Sequence, residues 1–78
     1  MEELIAYLKL HSWLTYNDVE YRQAIKGNRY LSVTIDRDKA LAELKHFHHN
    51  HEEINDFELG FVKPRIVLSI LKTYPDYI

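Results

Sequence analysis

The sequence predicts an α+β domain in αββαββ order, a four-stranded antiparallel sheet carrying two helices on one face. Three observations lead to it. Apolar residues recur with helical spacing near the start of the chain and again around residues 40–47. Residues 19–26 and 30–35 alternate apolar and polar side chains on either side of Gly27-Asn28. The order of a helix followed by two strands then recurs, so the 78-residue chain reads as one domain of two αββ units, residues 2–36 and 37–74. Sliding the chain by one unit sets Ala6, Leu8 and Lys9 against Ala42, Leu44 and Lys45; one residue more sets Lys26, Leu31, Ser32 and Val33 against Lys63, Leu68, Ser69 and Ile70.

Residues 2–11 form the first helix: Leu4, Ile5, Tyr7 and Leu8 make a broad stripe, and Glu2 and Glu3 suit the positive end of the helix dipole. Trp13 and Leu14 carry the chain out, and Asn17-Asp18 marks a turn. In the strand that follows, Val19, Tyr21 and Ile25 lie on one side and Glu20, Arg22, Ala24 and Lys26 on the other. Gly27-Asn28 is the loop of a tight hairpin, after which Leu31, Val33 and Ile35 face the core and Tyr30, Ser32 and Thr34 do not. Asp36 or Asp38 caps a second helix with the stripe Ala40, Leu41, Leu44 and Phe47, ending among the histidines. Phe57, Leu59 and Phe61 alternate with Glu58 and Gly60; Lys63-Pro64 turns the chain into a last strand over residues 66–73, closed by Tyr74-Pro75-Asp76. That strand is apolar on both sides, with Ile66, Leu68 and Ile70 on one face and Val67 and Leu71 on the other. Two helices cover only one sheet face, so the surplus surface predicts a homodimer.

The composition excludes several classes. With no cysteine there is no disulfide framework, thiolate zinc site or cysteine nucleophile, and a reducing cytosol is the expected compartment. Charge interrupts the apolar runs well short of the ~20 residues of a membrane span, and Met-Glu-Glu is not the basic start of a signal peptide, so the mature chain is expected to be the whole chain. Ten basic against twelve acidic residues, a net charge of -2, argues against bulk duplex DNA as the partner. Glycine-rich phosphate loops, G-x-S-x-G elbows and H-E-x-x-H are all missing from the sequence.

Two constellations remain. His46, His48, His49 and His51 stand in the run H-F-H-H-N-H. On a helix, His48 and His51 share the side near the apolar stripe and form the candidate metal pair; zinc would need Glu52, Glu53, Asp56 or His11 as well. The alternative is that these histidines cap the last carbonyls of the helix. The second constellation is basic: Lys26 and Arg29 at one predicted hairpin tip, Lys63 and Arg65 at the other, with Tyr21 and Tyr30 nearby for stacking. Gathered at one end, the four cations would meet phosphates or an acidic protein; separately, they keep loops soluble and strands from pairing edge to edge.

The order of helix, hairpin, helix ending in a histidine pair and second hairpin resembles the pterin-4a-carbinolamine dehydratases, in which His-His-Pro follows the central helix. Ala42-Glu43 followed by His48-His49 is similar to that stretch. The resemblance implies a dehydratase-like role in which His48 and His49 are the residues to test. Asn50 stands where the family has proline, Thr73-Tyr74 where it has Thr-His, and the family's final helix has no counterpart.

The function predicted from the residues is a small non-enzymatic binding or regulatory domain, of the kind found among phage and plasmid accessory proteins. It needs no cofactor and acts on a protein partner through a sheet face or the hairpin tips. The expected contact residues are Trp13, Tyr30, Val67 and Leu71, with aromatics favoured at interface centres. Metal binding or dehydratase-like chemistry at the histidines, and nucleic-acid binding by the cationic tips, are the alternatives.

Overall fold

The structure, a computed structural model, describes residues 1–73. A helix α1 (Glu2–Leu10) leads into six strands, β1 (Leu14–Tyr16), β2 (Glu20–Ile25), β3 (Arg29–Asp36), β4 (Leu41–His48), β5 (Glu53–Ile54) and β6 (Phe61–Val62), and a helix α2 (Pro64–Thr73) follows. The α+β class holds. The four-stranded αββαββ arrangement and its two αββ units do not, because the helices flank one continuous run of strands.

The sheet is antiparallel, in the order β1-β2-β3-β4-β5, and β6 also pairs with β4. Its centre is the hairpin of β3 and β4, whose eight residues pair from Arg29↔His48 to Asp36↔Leu41. Directly opposed residues share a face, so the registers divide the sheet in two. Tyr21, Leu31, Val33, Ile35, Ala42 and Leu44 line one face and pack with Leu4, Leu8, Trp13, Val67, Leu68 and Leu71 into a single buried cluster. Both helices therefore cover that face. Within β2 and β3 the alternation of faces read from the sequence is the observed one, but Val19 lies outside β2 and is 47% exposed, Ser32 on the other face is only 2% exposed, and the β2–β3 loop is one residue longer than expected (residues 26–28), with Gly27 and Asn28 both at positive φ.

Two elements exchange their expected types. Residues 41–48, expected as a helix, are the central strand β4: Ala42, Leu44 and His46 are buried while Glu43 and Lys45 lie on the other face. Beside β3, whose buried residues need a partner strand, tertiary pairing overrides the helix-forming Ala, Leu, Glu and Lys. The Asp36 carboxylate does accept a backbone N–H, that of Lys39 at 3.1 Å, but in the turn between β3 and β4.

Residues 66–73, expected as a strand, form α2: Val67, Leu68 and Leu71 are buried and Ile66 and Ser69 exposed, a spacing that fits 3.6 residues per turn. Pro64 occupies the first helical position, where its missing N–H costs nothing. The apolar residues that seemed to need a second copy are thus held inside this chain. The closing role of Tyr74-Pro75-Asp76 and the end of the second unit at residue 74 lie outside the described residues. Among the described residues no helix is long and apolar enough to cross a membrane.

Candidate functional site on the open sheet face

The second face of the sheet carries three rows of side chains, fixed by the strand registers. Leu14, Arg22, Ser32 and Lys45 form the middle row; Tyr16, Glu20, Thr34, Glu43 and Phe61 form the row beside it; Ala24, Tyr30, Phe47 and Glu53 form the third. Leu14 (66% exposed), Tyr16 (43%) and Phe61 (46%) on this face are three of the six exposed large apolar residues described; Leu10 on α1, Val19 before β2 and Ile66 on α2 are the others.

Across this face runs a ladder of stacked groups. The Arg22 guanidinium sits between two rings, its carbon 4.7 Å from the Tyr16 ring centre and 5.1 Å from that of Tyr30. Tyr30 stacks in turn on Phe47, with centroids 5.1 Å apart and planes 16° from parallel. His51, in the turn after β4, meets the edge of Tyr30, and its Nδ1 lies 2.8 Å from the Tyr30 hydroxyl.

Ionic contacts fix the ladder from below. Arg22 donates from Nε and Nη2 to the two Glu20 carboxylate oxygens at 2.8 and 3.2 Å, and the Ser32 hydroxyl donates to the same carboxylate at 2.6 Å. The Arg22 hydrogen bond is the main reason that the Glu20 carboxyl is held below its ordinary range; Ser32 adds to the effect, and burial opposes it. Arg22 is raised by the same contact. Lys45 lies 3.7 Å from Glu43 and 3.4 Å from Glu53, and these carboxylates, Glu43 foremost, push its ammonium above the ordinary lysine value.

A second network pins the edge of the sheet. Between Ile54 and Phe61 the chain leaves β4, opposite which it pairs on either side, and residues 55–60 bulge outward. Arg29 donates from Nη1 to His46 Nε2 at 3.0 Å. A guanidinium has donors only, so Nε2 accepts and the imidazole proton resides on Nδ1, which donates to Asp56 Oδ2 at 2.9 Å. His46 is only 2% exposed and anchors the bulge. The cleft beneath it measures about 70 Å³, too small for a cofactor pocket.

The sites read from the sequence are dispersed. Trp13, Val67 and Leu71, expected at an interface, are core residues at 5%, 0% and 2% exposure; Tyr30 alone of those four contacts lies on the open face. Lys26 and Arg29 do flank a hairpin tip, but Arg29 is spent on the Lys26 carbonyl and on His46. Lys63 and Arg65 are not at a hairpin tip. They flank Pro64 at the start of α2, next to Val62, at the opposite end of the roughly 23 Å that eight strand residues span. His48 ends a strand and His51 stands in a turn at φ 72°, so the helical spacing that paired them is absent. No group of three or more metal-ligating side chains is placed to hold an ion among the described residues. The order that resembled the dehydratases also falls away, since His48 and His49 follow no helix.

Tyr16, Arg22, Phe47 and Phe61 were not singled out from the sequence. The alternation that sets Arg22 apart from the core residues was a signal for one of them; Phe47 was hidden by the helical reading of residues 41–48. Fold and site together define an α+β sheet with helices on one face and an ordered aromatic and ionic surface on the other. No family model, curated protein or solved structure gives a significant match to the chain.

Proposed function

We propose that this chain is a non-enzymatic binding domain, a small regulatory or accessory protein of the cytosol, that takes a protein partner on the open face of its sheet. The observation that carries this reading is the Tyr16–Arg22–Tyr30–Phe47 ladder. Tyrosine and arginine are the residues that most often dominate binding energy, and here their rotamers are already fixed by stacking and by Glu20, which lowers the entropy cost of association.

Chemistry on the same face argues against the alternatives. A nucleobase stacks on free ring faces, whereas Tyr30 has Arg22 on one side and Phe47 on the other. Glu20, Glu43 and Glu53 outnumber Arg22 and Lys45, which disfavours a phosphate backbone. Addition of a partner strand at a sheet edge is also poorly served. β1 has three residues, bounded by a Trp13 N–H already bonded to Leu8 and by Asn17 at positive φ, and β5 and β6 have two residues each.

The test is affinity capture with the tagged chain and two variants. Y16E alters the open face; L10E alters a 79% exposed residue on α1. The expected result is a defined protein held by the wild type and L10E and lost with Y16E. Equal capture by Y16E, or its loss with L10E only, would overturn the reading.

A further inference from the structure

We infer that the open face is built to receive the same face of a second copy of this chain, related by a two-fold axis that lies across the strands between the middle row and the Glu20 row. This rests on the open face being the binding surface and names its occupant.

The inference comes from the order of charges. One row reads Leu14, Arg22, Ser32, Lys45 and its neighbour reads Tyr16, Glu20, Thr34, Glu43, each pair taken from a single strand. A two-fold axis between the rows exchanges them. Leu14 then faces the second copy's Tyr16, Arg22 its Glu20, Ser32 its Thr34 and Lys45 its Glu43. Each of the two cations meets a carboxylate and the most exposed apolar residue of β1 meets a ring, while Ser32, 2% exposed and bonded to Glu20, lies beneath the contact. The next rows continue the match, with Phe47 over Leu41 and Tyr30 over Asp36, since Leu41 and Asp36 also occupy the open face by register.

Few arbitrary surfaces would satisfy this arrangement. The two rows carry two positive and two negative side chains, and a partner must present the opposite order at the spacing of alternate strand residues. The chain's own face, turned over, presents it. Arg22–Glu20 and Lys45–Glu43 are already paired within one copy, so association closes each into a ring of four alternating charges without reorienting the side chains, and networks of this kind outperform isolated surface pairs.

The size is also appropriate. Four strand spacings of about 4.8 Å by a strand length of about 23 Å give a projected footprint of roughly 450 Å². The side-chain relief enlarges it toward the ~800 Å² per partner of a standard interface. Stacked sheets cross at about 30°, so the pairs nearest β3 keep the closest register and those at Leu14 and Phe61 slide past one another.

Sedimentation equilibrium with charge-exchange variants tests this. The wild type is expected to approach 18.8 kDa, twice the 9.4 kDa chain, as concentration rises. R22E sets a carboxylate against Glu20 of the second copy, and E20R sets two arginines together. Each alone is expected at half the wild-type mass, and an equimolar mixture is expected to return to the dimer mass because the two faces are again complementary. Recovery on mixing shows that both variants are folded, and circular dichroism of each checks it separately. A wild type that stays at 9.4 kDa up to millimolar concentration overturns the second copy as occupant; the face reading itself then stands or falls on Y16E capture. A dimer that persists in R22E and E20R, or variants that are folded yet fail to associate when mixed, overturns the two-fold arrangement.

Discussion

Replacing Tyr30 with alanine removes the centre of the ladder, and the cost can be worked from its contacts. The ring stacks on Phe47 at 5.1 Å, an arrangement that contributes about 0.5–1.5 kcal/mol beyond its buried area. It also supports the Arg22 guanidinium at 5.1 Å, about 0.5–1 kcal/mol at a partly exposed site. The hydroxyl contact with His51 adds about 1 kcal/mol at most because it is exposed. These terms share neighbours and are not additive, so Y30A is expected to cost about 2 kcal/mol. At about 4–8 °C per kcal/mol for a chain of this size, the melting temperature falls by roughly 8–16 °C. Y30F keeps both ring contacts and is expected to cost under about 1 kcal/mol. Urea unfolding followed by circular dichroism and by fluorescence of Trp13, the single tryptophan, measures both variants. If Y30A lies within about 0.5 kcal/mol of Y30F, the rings are not held against one another and the preformed ladder is refuted.

Other consequences are equally open to measurement. I66K is expected to leave stability within about 0.5 kcal/mol, whereas V67K unfolds the chain, because α2 exposes Ile66 at 40% and buries Val67 completely; an equally severe I66K would contradict the helix. D56A takes the carboxylate from His46 and is expected to cost about 1–3 kcal/mol and to speed hydrogen exchange in residues 55–60, and unchanged exchange there would contradict the anchor. Because the Glu20 carboxyl is depressed in the folded chain, its contribution is full above the ordinary glutamate value of 4.5 and is lost as pH falls through the lower folded value. The stability gap between wild type and E20Q is therefore expected to be constant near neutrality and to narrow on acidification, and a gap that widens would reverse the assignment.

How much of this was legible in the sequence depended on how strongly local pattern and tertiary need agreed. The β2–β3 hairpin was readable because alternation and a Gly-Asn turn point to the same answer, and Leu31, Val33 and Ile35 are buried as expected. Residues 41–48 were not, because Leu41, Leu44 and Phe47 imitate a helical stripe, while the true inward set includes His46, a residue whose burial depends on Arg29 and Asp56 arriving from distant positions. Residues 66–73 misled in the opposite direction. Their β-branched residues suggest a strand, yet apolar side chains on both presumed faces also fit a helix begun by Pro64. The open face followed the same division: Tyr30 was visible as an outward aromatic, but its neighbours Tyr16 and Phe47 come together with it only through strand pairing that the sequence did not reveal.

The most direct test of the open face as the working surface is hydroxyl-radical footprinting of the chain, diluted to the monomer and with the second copy or a captured protein bound. The account predicts that Tyr16, Tyr30, Phe47 and Phe61 become protected, while Leu10 and Ile66 on the helices react as in the free chain. Protection of Leu10 and Ile66 with unchanged reactivity at Tyr16 and Phe61 would contradict it, and would move the binding surface to the helical side.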